Sequence, residues 1–252
     1  MGYLTKKAIL ILEKNGYGVI HPSQHHSDME DEFFEIWKNV EKFTMISIER
    51  GYNIYKSVEY IVNNGIEGDF VECGVWKGGA CMIAAKALLE FGVRERKIVL
   101  YDTFSGMTRP SEHDCVAWTG SNMLQRWIES RNKKGENLWS AGLDEVRQNI
   151  YSTGYPEEKI VFNAGDVCEV LDNKKNTPAS ISLLRLDTDW YESTKKELQV
   201  LFPLLVKGGI LIIDDFGHFT GARKAVQEYF SGTDFSIYLD RIDYTGRCGV
   251  KI

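Results

Sequence analysis

The stretch Phe70-Val-Glu-Cys-Gly-Val-Trp-Lys-Gly-Gly-Ala80 decides the fold. Its apolar start ends at Glu72, three glycines follow, and residues 80–90 have high helix propensity. This pattern predicts a strand, a glycine-rich turn and a helix, so that a ligand can approach the turn and the free N–H groups of the helix start. The glycine spacing is not G-x-G-x-x-G, which favours a nucleoside ligand other than a dinucleotide. A tight turn that binds nothing would give the same pattern.

Strands and helices alternate along the rest of the chain. Further strands are predicted over 97–102, 159–166, 181–187 and 210–215, and helices over 143–151, 193–205 and 221–230. Residues 235–240 and 247–252 are expected to pair as a terminal hairpin. Two helical patterns precede the first strand, and Ser47 is the expected cap of the second. The alternation predicts an α/β fold with an open, mostly parallel sheet.

The composition argues against several classes of protein. The 252 residues carry a net charge of −6 and contain no basic run, so we expect no nucleic-acid partner. The apolar run near the N-terminus is too short for a membrane span or signal segment, which predicts a cytoplasmic protein without a membrane partner. The five cysteines are scattered and form no C-x-x-C pair, as expected of reduced thiols rather than a disulfide framework or zinc site.

Acidic residues stand where the predicted strands end. Ligands bind at the carboxyl edge of an open parallel sheet, so these acids are candidate binding residues. Asp102 can accept hydrogen bonds from ribose hydroxyls, and Asp166 can accept one from an adenine amino group. Each could instead cap the turn or helix that follows it.

Asp187, Asp214 and Asp215 follow two strands that are expected to be neighbours. Three carboxylates at one edge repel one another, and a hard divalent cation would offset the repulsion. Magnesium prefers oxygen ligands and keeps sites open for substrate oxygens. The alternative is that these acids cap a helix or point to solvent.

Taken together, the motifs resemble those of the class I S-adenosylmethionine-dependent methyltransferases, and within them the macrocin O-methyltransferase family, which methylates sugar hydroxyls on natural products. The resemblance covers about residues 40 to 252. It is carried by the glycine-rich stretch, by Leu100-Tyr-Asp-Thr-Phe-Ser-Gly-Met107, by Leu184-Arg-Leu-Asp-Thr-Asp-Trp-Tyr-Glu-Ser-Thr194, by Gly208-Gly-Ile-Leu-Ile-Ile-Asp-Asp-Phe-Gly-His218 with Gly221-Ala-Arg-Lys-Ala-Val226, and by the lid-like Thr44-Met-Ile-Ser-Ile-Glu-Arg50.

The resemblance implies a Rossmann-like sheet of seven strands with helices on both faces, an N-terminal helical lid over 1–66, and a cofactor-binding core over 67–252. It implies that S-adenosylmethionine binds at Glu72, Gly74, Trp76, Gly78, Gly79, Asp102, Thr103, Asp166 and Val167. Magnesium would bind at Asp187, Asp214 and Asp215. Asp187, preferred to Asp189 as the first acid of the family's L-D-x-D segment, would also be the general base, and His218 would face the acceptor.

Three other functions stay open at this point. Two adjacent hydroxyls of a catechol would also chelate magnesium, and Asp187-Thr-Asp189 is a D-x-D that could hold a nucleotide sugar in a metal-dependent glycosyltransferase. A non-catalytic binding module could keep the fold without turnover. Aromatic residues on the N-terminal helices suggest a homo-oligomer, and the expected substrate is a small molecule.

Overall fold

The computed structural model describes residues 14–15, 26–132, 137–234 and 236–252. The chain divides into two compact units, residues 1–34 and 35–252. The larger unit contains the whole sheet and every site residue named above. In the described part of the chain, no helix combines the length and the apolar character needed to cross a bilayer.

The helices are α1 Asp31–Val40, α2 Ile48–Asn63, α3 Gly79–Glu90, α4 Met123–Asn132, α5 Leu143–Tyr151, α6 Val167–Val170, α7 Tyr191–Val200 and α8 Thr220–Ser231. The strands are β1 Asp69–Cys73, β2 Ile98–Asp102, β3 Ile160–Ala164, β4 Ile181–Leu186, β5 Leu205–Ile213, β6 Asp240–Arg241 and β7 Arg247–Val250. Short 3₁₀ turns cover Glu41–Phe43, Glu157–Lys159, Lys174–Asn176 and Phe202–Leu204. Ser47 caps α2 as predicted, because its hydroxyl accepts a hydrogen bond from the N–H of Arg50 at 3.2 Å.

The seven strands form one sheet in the order β3-β2-β1-β4-β5-β7-β6. Strands β1 to β5 are parallel, whereas β7 is antiparallel to both β5 and β6. The predicted mostly parallel seven-stranded sheet with a C-terminal antiparallel pair is confirmed. Strand β1 lies between β2 and β4, so the strand order reverses there and leaves a crevice outside their carboxyl ends.

The centre of the sheet is apolar and fully buried. Val71, Leu100, Leu184 and Leu211 each expose 0% of their surface. Strands that are buried on both faces need continuous apolar runs rather than alternation, which explains why these runs are readable in the sequence. Their burial fixes the backbone at the ends of the strands, and the acidic residues begin there.

Several predicted boundaries are wrong. The helix predicted over 193–205 ends at Val200, and β5 begins at Leu205 instead of 210. Gly208, which was expected to end that helix, lies within β5. It has φ +82° and falls at an irregularity of the β4–β5 pairing. The first strand of the terminal hairpin is only Asp240–Arg241. Ile237 and Leu239 pack against the core without pairing, and residue 235 lies outside the described residues.

Candidate active site at the carboxyl edge of the sheet

The glycine-rich turn is shaped by the elements packed against it. Gly74 has φ +80°, and a Cβ there would lie 2.1 Å from the carbonyl oxygen of Asp187, so the turn touches the end of β4. A Cβ on Gly79 would lie 2.6 Å from the carbonyl oxygen of Phe43. Gly78 has φ +88° and packs near Ile150. These contacts give the glycines a packing role, and Gly78 and Gly79 do not line the cleft.

Asp102 holds the turn in place from the end of β2. Its carboxylate accepts hydrogen bonds from the backbone N–H groups of Val75 at 2.7 Å, Phe104 at 2.7 Å and Trp76 at 3.3 Å. Burial raises the pKa of this carboxyl, and the three backbone donors oppose the rise. Asp102 also lines the cleft, so one side chain both organises the turn and faces the cleft.

Two further predicted cofactor residues make local hydrogen bonds beside Asp102. Asp166 caps the short helix α6, because its carboxylate accepts a hydrogen bond from the N–H of Cys168 at 2.9 Å. This is the capping role that the sequence left open for it. The hydroxyl of Thr103 donates to the carbonyl of Gly106 at 2.6 Å. Both residues still line the cleft, as does Val167.

One cleft brings most of the predicted site residues together. It encloses about 1210 Å³ of space between protein atoms, part of which is open to solvent. The predicted residues that line it are Glu72, Gly74, Trp76, Asp102, Thr103, Asp166, Val167, Asp187, Asp214, Asp215 and His218.

The acids after β4 and β5 converge. One carboxylate oxygen from each of Asp187, Asp214 and Asp215 lies within 4.8 Å of the other two. Asp189 joins them: it is 9% exposed, has φ +67°, and its carboxyl lies close to that of Asp215. Burial, followed by repulsion from Asp215, raises the pKa of Asp189. Burial also raises the pKa of Asp187, although Arg185 opposes it.

Two buried arginines contact this acid cluster, and the sequence reasoning gave neither of them this role. Arg185 of β4 pairs with Glu72 and Asp214, and its Nη1 lies 2.8 Å from Asp187. Arg50 of α2 pairs with Asp214, and its Nε lies 3.0 Å from a carboxylate oxygen of Asp243. For Arg185 the sequence did contain a signal, since it is a charged residue inside the apolar run of β4. A charge in a buried parallel strand needs a partner of opposite charge, which indicates a buried ion pair.

Glu72 is buried within this network. Its carboxylate pairs with Arg185 and accepts a hydrogen bond from the Sγ of Cys81 at 2.7 Å. The side chain is 1% exposed, and burial raises its pKa. Glu72 therefore joins the glycine-rich turn to the acid cluster.

The acid cluster fits a magnesium ion. Its donors are all carboxylate oxygens, the hard ligands that Mg²⁺ prefers, and they lie on the fixed ends of two neighbouring strands. Asp214 is paired with both arginines. The carboxylate oxygens of Asp187 and Asp215 make fewer ion pairs and are therefore more available to a metal ion. The two arginines offset only part of the charge of four acids.

His218 lies at the outer side of the acid cluster. Its Nδ1 is 3.8 Å from an oxygen of Asp215, and its ring stacks on Phe219 with centroids 4.2 Å apart. Burial lowers the pKa of His218, and Asp215 only partly opposes that effect. The imidazole is therefore neutral at pH 7 and can exchange hydrogen bonds with an acceptor hydroxyl.

Comparison with known proteins adds independent findings. Residues 12–248 match the model of the macrocin O-methyltransferase family. The chain is similar to demethyldecarbamoylnovobiocin O-methyltransferase of Streptomyces niveus, with 32% identity over 203 residues that cover 81% of this chain and 73% of that enzyme. It is also similar to mycinamicin III 3''-O-methyltransferase of Micromonospora griseorubida, with 30% identity over 204 residues that cover 81% and 76% of the two chains.

Solved structures show the same similarity. The O-methyltransferase NovP matches with a TM-score of 0.71 and 31% identity, over 83% of this chain and 82% of that one. The calicheamicin methyltransferase CalS11 matches with a TM-score of 0.60 over 92% of this chain and 94% of that one. At 16% identity, CalS11 supports the fold alone.

Proposed function

This chain belongs to the macrocin O-methyltransferase family, and we propose that it transfers a methyl group from S-adenosylmethionine to a sugar hydroxyl of a glycosylated natural product, with magnesium at the acid cluster. A related O-methyltransferase of Streptomyces olivaceus, 30% identical over 210 residues, is named for a substrate that carries a rhamnosyl group, which supports a sugar acceptor. One observation carries the proposal: the glycine-rich turn packs against the acid cluster, because Gly74 lies against the backbone carbonyl of Asp187. A methyl donor and a hydroxyl bound at these two places would therefore meet in one cleft.

The proposed cofactor site uses the turn and the ends of β1 to β3. Asp102 would accept hydrogen bonds from the ribose, Asp166 and Val167 would lie at the adenine, and Glu72, Gly74, Trp76 and Thr103 complete the wall, with Gly78 and Gly79 shaping the turn behind it. S-adenosylmethionine supplies a methyl group that its sulfonium has already activated. The protein therefore needs to position the acceptor in line with that methyl group, and no covalent enzyme intermediate is required.

The proposed acceptor site uses the acids and His218. Asp187, Asp214 and Asp215 would hold magnesium, which supplies a positive charge that lowers the pKa of a bound hydroxyl. Asp187 is the proposed base for the hydroxyl proton, and Asp189, buried beside Asp215, is a second carboxylate in reach of the same place. Neutral His218 would orient the acceptor. Met45 and Ile46 of the lid-like segment line the cleft and would limit water near the reacting groups.

Membership of an O-methyltransferase family argues against the glycosyltransferase and the non-catalytic module. A catechol acceptor has less support, because a relative is named for a rhamnosyl-bearing substrate. A homo-oligomer in the cytoplasm remains a prediction.

Calorimetric titration with S-adenosylhomocysteine tests the cofactor site, and methyl transfer to a panel of glycosides tests the activity. We expect cofactor binding, and transfer that EDTA abolishes and added Mg²⁺ restores. Asp215→Ala should lose transfer and keep cofactor binding, whereas the exposed Asp144→Ala should keep both. Absence of cofactor binding would reject the proposal. Transfer that survives both EDTA and Asp215→Ala would reject only the magnesium.

A further inference from the structure

Glu197 is a fully buried acid to which the proposed function gives no role. It lies on α7, exposes 0% of its surface and does not line the cleft. Its Oε1 accepts a hydrogen bond from the hydroxyl of Thr188 at 2.8 Å, whereas its Oε2 has no hydrogen-bond partner in the described part of the chain. Burial of a carboxyl with one partner costs stability, and an apolar side chain would cost less. A residue that breaks this rule indicates a role other than stability.

Thr188 separates the two acids that follow β4. Asp187 precedes it and is a proposed magnesium ligand, whereas Asp189 follows it and is the second carboxylate near the proposed acceptor. All three residues line the cleft, and the hydroxyl of Thr188 reaches back to Glu197. This hydrogen bond therefore connects the acids of the cleft with the buried face of α7.

The backbone between the two acids is strained and restrained. Asp189 has φ +67°, a conformation that a non-glycine residue keeps only where its surroundings impose it. The N–H of Asp187 donates to a carbonyl at the end of β1 at 2.8 Å, and the N–H of Trp190 donates to the carbonyl of Thr188 at 2.7 Å. These bonds fix the two ends of the segment, and the hydroxyl of Thr188 fixes its middle.

Helix α7 is a firm support for this contact. The N–H of Tyr191, its first residue, donates to the buried carboxylate of Asp114 at 2.8 Å. Asp114 belongs to the 103–122 segment, in which the N–H of Ala117 donates to the carbonyl of His218 at 2.8 Å. The start of the helix is thus joined to the wall of the cleft, which keeps the buried carboxyl at a fixed distance from the acids.

We propose that Glu197 is a positioning residue, which through Thr188 fixes the two acids on either side of it. Side chains behind the ligands of a metal ion influence metal affinity although they never touch the ion. Without the hydrogen bond, the left-handed residue can relax and the two carboxylates lose their common orientation. The effect on magnesium and the acceptor rests on the proposed function, whereas the hold on the segment does not.

Hydrogen exchange and metal binding measure the two parts of this role. Thr188→Val and Glu197→Leu each remove one partner of the hydrogen bond, whereas Thr188→Ser and Glu197→Gln keep a donor and an acceptor. We expect the first two variants to exchange the amide hydrogens of Asp187 and Trp190 about 3- to 10-fold faster, and to bind Mn²⁺ about 3- to 10-fold more weakly, the effect of one hydrogen bond. The conservative variants should stay near the wild type. The double variant Thr188→Val/Glu197→Leu should lose no more than either single variant.

Two controls separate this role from a purely structural one. Thr153→Val makes the same change at a buried threonine outside the cleft, and should alter neither exchange at the two amides nor Mn²⁺ affinity. Glu197→Leu replaces a buried carboxyl with an apolar side chain, so its melting temperature should equal or exceed that of the wild type. A purely structural role predicts the opposite, a lower melting temperature with unchanged Mn²⁺ affinity.

The possible results discriminate between these roles. Unchanged exchange in Thr188→Val and Glu197→Leu, or losses that add in the double variant, overturns the hold on the segment. Faster exchange with unchanged Mn²⁺ affinity overturns the positioning of the metal ligand. If the wild type binds no Mn²⁺, the magnesium of the proposed function fails, and the exchange rates still decide whether Glu197 holds the two acids.

Discussion

The carboxylate of Asp102 accepts a hydrogen bond from the backbone N–H of Val75 at 2.7 Å, which joins the end of β2 to the turn after β1. Its second oxygen accepts from the N–H of Phe104. Asp102→Asn replaces one of these oxygens with an NH₂ group, which cannot accept, and leaves a backbone donor without its partner. We expect stability to fall by about 1–3 kcal/mol and affinity for S-adenosylhomocysteine to fall at least about tenfold.

Thermal unfolding and calorimetry of the same preparations would measure both effects. Asp144→Asn, on an exposed helix surface, should change neither. Full cofactor affinity in Asp102→Asn would contradict the assignment of Asp102 to the cofactor site.

Arg185 is 1% exposed and contacts carboxylates of three strand ends. Arg185→Met keeps an unbranched apolar stem but leaves Glu72 and Asp214 buried without their shared counter-charge. We expect a loss of about 3–5 kcal/mol in the free energy of unfolding, measured with urea. Adding Glu72→Gln should recover part of the loss, because it removes the carboxylate charge that Arg185 had paired, whereas Asp214 keeps its pair with Arg50.

The control is Arg94→Met, at an exposed arginine, which should change stability by less than about 0.5 kcal/mol. If Arg185→Met lowers the free energy of unfolding as little as the control does, the buried carboxylates are stable without the charge of the arginine.

Glu197 of α7 is 0% exposed, and its carboxyl accepts a hydrogen bond from the hydroxyl of Thr188 at 2.8 Å. Burial raises the pKa of Glu197 from 4.5 to about 8. Between those values the folded protein keeps a proton that the unfolded chain has released. The free energy of unfolding therefore falls as pH rises from 4.5 to 8, by at most about 1.4 kcal/mol per unit.

Glu197→Gln removes this titration and keeps an acceptor for Thr188. Urea unfolding at several pH values should show wild type losing stability relative to Glu197→Gln as pH rises, with no further change above about pH 8. Exposed Glu129→Gln should follow the wild-type curve. Parallel curves for wild type and Glu197→Gln would show that Glu197 is already ionised in the fold.

Asp187 and Asp189 are two residues apart, yet we expect different roles for them. Asp187→Asn should weaken Mn²⁺ binding, measured by electron paramagnetic resonance, by at least about tenfold, because it removes a ligand charge. Asp189→Asn should keep the affinity within a small factor, and Asn tolerates the φ of +67° at this position. Methyl transfer by Asp189→Asn, which keeps the metal, then shows whether Asp189 accepts the proton.

If Asp189→Asn loses metal affinity and Asp187→Asn does not, the assignment of the first acid of the L-D-x-D segment is reversed. Asp172→Asn, on the surface and paired with Lys196, controls for a general change in charge.

The sequence predicts the sheet and the acid positions because both depend on local pattern. Apolar runs define buried parallel strands, and an acid after a run falls at the carboxyl edge in any parallel sheet. The contact of Arg50 with Asp214 spans 164 positions in the chain and depends on how α2 packs over the sheet. The packing role of Gly79 likewise depends on Phe43. Such contacts have no local pattern, so Arg50 could not be assigned to the acid cluster from sequence.

Asp114 and Gly221 have a consequence for changing what the enzyme accepts. A Cβ on Gly221 would lie 1.9 Å from a carboxylate oxygen of Asp114, so this contact fixes how the 103–122 segment meets α8. By contrast, Gly120 has open space around it. A mutant library aimed at new acceptors would therefore vary side chains at 117–119 and insert residues only near Gly120. Changes at 114 or 221 would displace the segment itself, and with it all the side chains at 117–119.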